Sequence, residues 1–194
     1  MRFKTIEPAY YFFLILIWVG LINETINFFL SRAHYSNQVN SNIYSLAQSL
    51  LIVLFFNRLG LFERSKWFFY ATLCFFILAW FIDNFILSAE NFSSYFTAVT
   101  SFIYVLMSIS MINRLIVAEV KFLTRNPVFV ICIGFILFFT CALIVEIFWI
   151  YGLNASDSFL LGVYLIKTYI NIVINLIYAL AIIWMPKKRG YTLL

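Results

Sequence analysis

Six long apolar runs, separated by short polar connections, constrain this chain more than any other feature of its sequence. Each run is long enough to cross the hydrocarbon core of a bilayer, which takes about 20 helical residues. Backbone groups inside lipid must be hydrogen-bonded within the segment, and a helix does this while an isolated strand does not. The sequence therefore predicts an all-α, polytopic transmembrane helical bundle that forms a single domain over residues 1–194. The predicted spans are residues 9–30, 43–62, 67–87, 95–117, 127–153 and 158–184.

The composition argues against a soluble protein. Hydrophobic residues make up 64% of the chain and charged residues 11%, whereas about 25% of residues are charged in soluble domains. The net charge of +5 does not indicate nucleic-acid binding, because the basic residues stand at the ends of apolar runs. The cysteines lie inside apolar runs and the single histidine, His34, lies in a polar connection. No metal or other cofactor is predicted, and the lipid bilayer is the expected environment.

Lysine and arginine are distributed unevenly between the two ends of the predicted spans. Eleven of them fall on the side of the chain termini, Arg32 alone falls in a connection on the other side, and Lys167 lies within a span. Cytoplasmic loops of membrane proteins carry such an excess of positive charge. Both termini are therefore predicted in the cytoplasm, in a multi-pass protein of a bacterial inner membrane. The eleven residues are Arg2, Lys4, Arg58, Arg64, Lys66, Arg114, Lys121, Arg125, Lys187, Lys188 and Arg189.

The last apolar run carries a polar stripe along one helical face. At about 100° per residue, its five polar side chains fall within an arc of roughly 80°. Such a stripe is expected to face other protein or a cavity rather than lipid. The five residues are Tyr164, Lys167, Asn171, Asn175 and Tyr178.

Further polar residues fall in the predicted outward half of the bundle and extend the stripe into an outward-facing polar pocket. They are Glu24, Gln48, Asp83 and Glu146. Glu146 is the preferred partner of Lys167, because their spans are consecutive and antiparallel, and Glu24 is the second choice. The pattern fits a buried network that fixes helix register, and it also fits a ligand, ion or proton site open to the outside. Asp83 lies close to the membrane interface, where simple solvation is expected.

The fourth span places Thr97, Ser101, Tyr104 and Ser108 on one helical face. Small hydroxyl residues in membrane helices let neighbouring helices approach closely. We therefore interpret this face as a packing surface in preference to a ligand contact.

Four short motifs are spread over most of the chain. They are LINETI at the end of the first span, N-x-Y at residues 42–44, N-P-x-F at residues 126–129, and I-N-I-x-x-N-x-x-Y at residues 170–178. Together they resemble an uncharacterised integral membrane family of Bacteroidetes. The resemblance implies six or seven spans, with an additional one preceding the position of Arg2 and an amino terminus then outside. It also implies genes near sensor kinases or regulators, and it assigns no site residues.

Three functions are compatible with these features. The first is a sensor or signalling accessory that contacts a membrane or cytoplasmic signalling protein. The second is a transporter or the substrate-binding subunit of an uptake system, although the chain has few of the glycine or proline breaks typical of transporters. The third is a structural or assembly subunit, and a homo-oligomer is left open. An enzyme is not predicted, because the sequence has no HExxH motif, no Ser/His pair and no clustered acids.

Overall fold

The computed structural model describes residues 6–87, 93–118, 123–150 and 157–186, and the side chains of 157–161, 163, 164 and 167 lie outside that description. The described residues form six long helices, as predicted for an all-α bundle. A π-helical segment, Asp83–Leu87, continues the third helix, and 3₁₀ turns cover Pro8–Tyr10 and Leu123–Arg125. The helices are α1 (Tyr11–Arg32), α2 (Gln38–Arg58), α3 (Lys66–Ile82), α4 (Ser94–Val117), α5 (Pro127–Ile150) and α6 (Asp157–Trp184).

Five of these helices, α1 to α5, are long and apolar enough to cross a membrane, and α6 contributes the apolar stretch Thr168–Trp184. The predicted membrane class is therefore confirmed. Helix α5 begins with a local signal in the sequence: Asn126 accepts hydrogen bonds from the amides of Val128 (2.9 Å) and Phe129 (3.3 Å). Pro127 occupies the first helical turn, where no backbone donor is needed.

Successive helices run in opposite directions, so the bundle has two ends that we name by the residues closing α1 and α2. At the His34 end, His34 adopts the left-handed conformation (φ 59°), while the Tyr35 amide donates to the Leu30 carbonyl at 2.9 Å. At the Gly60 end, Gly60 (φ 84°) closes α2 with the same pattern of bonds. Both are Schellman motifs, in which a left-handed residue returns two amides to the last turn of the helix.

Helix α2 begins earlier than predicted, at Gln38 instead of residue 43, and ends at Arg58 instead of residue 62. The early start reflects contacts between helices. Asn40 donates to the side-chain oxygens of Asn23 and Asn27 on α1, both at 2.8 Å. An asparagine side chain usually disfavours a helix because it hydrogen-bonds to nearby backbone groups. Here the Asn40 carboxamide bonds to α1 instead, so this polar stretch can form the first turn of α2.

A layer of aromatic rings joins four helices in the half of the bundle nearer the Gly60 end. Phe13 of α1 lies 5.6 Å from Phe55 of α2, 6.2 Å from Phe135 of α5 and 5.2 Å from Tyr178 of α6, measured between ring centroids. We call these four residues the ring layer. Tyr178 packs directly over Gly134, where a Cβ atom would overlap its ring.

The hydroxyl-bearing face of α4 is largely interior. Ser101, Tyr104 and Ser108 are buried, and Thr97 is half-buried. Ser108 donates to the Tyr104 carbonyl at 2.7 Å, and among the described residues the most extensive packing between helices joins α4 to α5. This arrangement agrees with the interpretation of the face as a packing surface.

Candidate functional site

Buried polar residues concentrate toward the His34 end of the bundle. Ser49 lies at the middle of α2 and Ser108 just beyond the middle of α4, whereas the other buried polar residues that the structure describes lie in the His34 half. The ring layer fills the opposite half with apolar side chains. The interior is therefore polar at one end and aromatic at the other. The buried polar residues are Asn23, Asn42, Ser49, Asp83, Ser93, Thr100, Ser101, Ser108 and Glu146.

Asp83 and Asn42 tie α2, α3 and α4 together at the His34 end. The Asp83 carboxylate accepts the backbone amide of Phe96 at 2.8 Å, and only 2% of the residue is exposed. The side-chain amide of Asn42 donates to the side-chain oxygen of Asn84 at 2.8 Å. The backbone carbonyl of Asn42 accepts a hydrogen bond from the indole N–H of Trp80 at 2.7 Å. The expected simple solvation of Asp83 is wrong, because the first turn of α4 covers the carboxylate and uses it as a cap.

A second polar group lies deeper, around Tyr44 and Tyr104. The buried Tyr104 hydroxyl lies near the side chains of Ser49 and Thr100. The Tyr44 hydroxyl lies against Gly20 of α1, 3.3 Å from the position that a Cβ atom would take there. Glu24 follows Gly20 by one helical turn on α1. The predicted pocket omitted Tyr44, although it precedes Gln48 by one turn on the same face and could have been found by that spacing.

The charged residues of α1, α5 and α6 share one helical register relative to the ring layer. Glu24 follows Phe13 by eleven residues, Glu146 follows Phe135 by eleven, and Lys167 precedes Tyr178 by eleven. Eleven residues are about three turns, or roughly 16 Å, and they return to the same helix face. Since α6 runs opposite to α1 and α5, all three positions lie on the His34 side of the ring layer at a common level. We call them the charged layer.

Helices α1 and α6 meet at the Gly60 end of the bundle. The Glu7 amide donates to the Pro186 carbonyl at 3.4 Å, and Phe13 contacts Tyr178. Phe13 is fully buried, whereas Glu24, on the same face of α1, is exposed. Among the described residues, the α1 face that is buried at Phe13 is therefore exposed three turns later. We use the name α1–α6 cleft for the space beside this exposed part of α1 on the side of α6.

A carboxamide pair lies on α6, within two turns of Tyr178 and on nearly the same helix face. Asn175 is exposed and Asn171 is half-buried, and Asn175 donates to Asn171 at 3.2 Å. Asn171 precedes Tyr178 by seven residues, and Gly20 follows Phe13 by seven. Both lie about 10 Å above the ring layer, so the Tyr44 hydroxyl and the Asn171 carboxamide stand at the same level.

The structure brings together some of the predicted pocket residues and separates others. On α6, Tyr178 packs against Phe13 of α1, and Asn175 is hydrogen-bonded to Asn171. Glu24 lies on the α1 face that carries Phe13, three turns away. Gln48 is half-buried on α2, and Asp83 belongs to the cap of α4 instead of the cleft.

Two members of the predicted polar stripe have side chains outside the described part of the structure. They are Tyr164 and Lys167. Glu146 is buried and engaged in an interaction. The pairing of Glu146 with Lys167 stays a prediction.

A cavity of about 470 Å³ lies elsewhere, on the side of α5 and α6 that faces away from the core, and it is lined almost entirely by apolar side chains such as Ile144 and Ile170. Among the described residues, no group of three or more His, Cys, Asp and Glu side chains could hold a metal ion. The buried polar side chains of the described residues are carboxylates, carboxamides and hydroxyls.

No protein-family model, curated protein or solved structure matches this chain. What the fold defines is an integral membrane helical bundle with a polar half and an aromatic half.

Proposed function

We propose that the protein is a small sensor or signalling accessory of a bacterial inner membrane. In this proposal both termini lie in the cytoplasm, the His34 end faces outward, and the α1–α6 cleft receives the signal. The sixth helix spans the membrane with the other five. The basic Gly60 end contacts a membrane or cytoplasmic signalling protein.

One observation carries this proposal: Glu24 is uncovered on the same helix face that is fully buried at Phe13. A carboxylate in a membrane span is expensive unless it is paired or meets water, and an opening toward one end supplies water. The ring layer closes the other end, so a stimulus can enter the cleft without crossing the membrane. Both features favour sensing over transport in this conformation.

Thiol labelling tests the cleft and its orientation together. A chain lacking Cys74, Cys132 and Cys141 would carry Asn175→Cys, and its matched control would carry Leu176→Cys, the next residue, which is also exposed. We expect a membrane-impermeant thiol reagent added to intact cells to modify the first variant. The second should stay unmodified, because its thiol meets lipid, where the reactive thiolate does not form. Labelling of the first variant only from the cytoplasmic side would contradict the proposed orientation.

Photo-crosslinking in native membranes tests the signalling role. A photoreactive residue at Leu61, at the Gly60 end, should capture a signalling protein, and the same residue at Val39, at the His34 end, should not. Charge reversal at Arg64 and Lys66 should weaken the capture, because it removes the positive charge proposed to contact the partner. Purification of the protein without any partner, with no crosslink at either position, would count against signalling.

Uptake experiments separate the sensor from a transporter. Proteoliposomes containing the protein are expected to accumulate no solute beyond empty liposomes. Substrate-dependent uptake that is lost on Lys167→Ala would instead establish a transporter or the substrate-binding subunit of one. A purely structural subunit predicts that Lys167→Met combined with Glu146→Leu folds and functions normally.

A further inference from the structure

A long, narrow groove lies between α5 and α6 on the side that faces away from the core, and we call it the α5–α6 groove. It has a volume of about 470 Å³ and extends along α5 from Ile136 to Phe148, with Ile166 and Ile170 of α6 on its other side. The α5 residues that line it recur every three or four positions and so form one helix face. Twelve residues of helix make the groove about 18 Å long, parallel to the helix axis.

The groove has an open rim and a buried floor. Leu137 and Ile144 are each 50% exposed and form part of the rim, whereas Val145 is 4% exposed and forms part of the floor. Among the described residues that line it, only Thr140 and Cys141 carry a polar side-chain atom. A cavity with so few hydrogen-bonding groups stays dry. The groove therefore favours an apolar occupant.

The width of the groove distinguishes between apolar occupants. A volume of about 470 Å³ over a length of about 18 Å corresponds to a mean width of about 5–6 Å. An α-helix with its side chains is about 10–12 Å in diameter, so a helix from a second copy or from another protein cannot enter. A single hydrocarbon chain is about 4–5 Å wide at ordinary contact distances between carbon atoms, and it fits.

The depth of the groove matches one leaflet of a bilayer. Helix α5, Pro127–Ile150, is long and apolar enough to cross the membrane. Ile136 lies near its middle, and Phe148 lies two residues before its end on the His34 side. The hydrocarbon core is about 30 Å thick, and one leaflet supplies about half of that. The groove therefore covers the depth that an acyl chain occupies in the leaflet on the His34 side.

We propose that the α5–α6 groove binds one linear acyl chain of a phospholipid from that leaflet. The chain fills space that the two helices leave open, and its methylene groups make the packing contacts that an empty groove lacks. Phospholipid bound in this way stays with the protein in detergent, unlike the lipid around the rest of the bundle. The site goes beyond the proposed function and does not depend on it.

Photo-crosslinking tests the proposal. The purified protein would be washed in detergent, incubated with phosphatidylethanolamine that carries a diazirine in one acyl chain, and irradiated. We expect mass spectrometry to map the adducts to residues that line the groove. Excess dipalmitoyl phosphatidylethanolamine should suppress these adducts, whereas cholesterol, whose fused rings are wider than one acyl chain, should not. Adducts spread evenly over exposed residues of other helices, such as Ile77 of α3, would overturn the proposal.

Variants locate the site. Thr140→Trp places an indole ring in the groove and should weaken phospholipid binding about tenfold, because about two methylene groups can no longer be buried. The matched control is Ile147→Trp, which adds the same ring at an exposed position of α5 outside the groove and should leave binding unchanged. Thr140 is also exposed, so both variants should fold, and the midpoint temperature of thermal unfolding checks this.

Two further results would overturn the proposal. One is equal phospholipid binding by the unmodified protein and by Thr140→Trp. The other is a native mass spectrum in which a second copy of the chain or another polypeptide, and no phospholipid, accompanies the protein.

Discussion

Tyr178 shows how a single residue position can decide the packing of a membrane helix pair. Its ring occupies the space that Gly134 leaves open on α5 and contacts Phe13 and Phe135. Small residues at helix contacts let membrane helices approach closely, and here the space is filled by an aromatic ring from the neighbouring helix. The predicted polar stripe therefore ends in a packing residue at its Gly60 side.

Gly134→Ala is expected to destabilise the protein by about 1–3 kcal/mol, because the added methyl group overlaps the Tyr178 ring and forces a repacking of α5 and α6. The measurement is the free energy of unfolding in detergent. Gly162→Ala is the matched control, since no atom of the described side chains lies within 4 Å of a Cβ atom there. It should leave stability unchanged or raise it by up to about 1 kcal/mol through helix propensity. Equal effects of the two changes would contradict this account of the packing.

His34→Gly is expected to stabilise the protein by about 1 kcal/mol. The residue holds a left-handed conformation that costs any side chain with a Cβ atom and that glycine adopts freely. Gly60→Ala, at the equivalent position after α2, should be destabilising, because φ is positive there too and the new methyl group would meet the Glu63 carboxylate. The midpoint temperature of thermal unfolding should therefore rise in His34→Gly and fall in Gly60→Ala.

At the scale of elements, contacts between helices override what the local sequence indicates. Residues 38–42 read as a connection because asparagine and serine favour turns, yet they are helical since Asn40 and Asn42 bond to α1 and α3. Asp83 reads as an interfacial, solvated acid, yet the start of α4 buries it. In both cases the hydrogen-bond partner that determines the structure lies on another helix. The sequence around the residue does not identify that partner.

Asp83→Ala should lower stability by about 1–3 kcal/mol, because it leaves the buried amide of Phe96 without an acceptor at the start of α4. Hydrogen exchange should localise the loss to the first turn of α4. Asp83→Asn keeps an oxygen acceptor and should retain most of the stability. Rapid exchange of the Phe96 amide in the unmodified protein would contradict the assignment of Asp83 as a cap.

At the scale of the whole molecule, hydropathy and the spacing of polar residues predict the helices and their polar and apolar faces. How the helices are arranged around one another depends on the contacts between them. The all-α membrane bundle follows from six apolar runs, because a bilayer leaves a chain few alternatives. That Glu24 and Phe13 share a face follows from helical periodicity. That Glu24 is exposed and Phe13 buried depends on which neighbouring helices pack against each end of α1, and helical periodicity does not determine this.

The ring layer is the feature that holds four helices together, so its central residue should matter most. Phe13→Ala is expected to cost about 3–5 kcal/mol, because it leaves a cavity between α1, α2, α5 and α6. Phe28→Ala is the control on the same helix: its side chain is 58% exposed and should contribute little to unfolding in detergent. Similar losses in the two variants would show that the layer is not the centre of stability.

The position of the ring layer has an electrical consequence. A cleft open to water carries the potential of the solution it opens to, so the voltage across the membrane would fall mainly across the ring layer. Moving one elementary charge through the full field involves about 2.3 kcal/mol per 100 mV. In the proposed orientation, a charged stimulus that reaches Glu24 from the His34 end would cross little of that field. The resting potential of the cell would then neither drive nor oppose its binding.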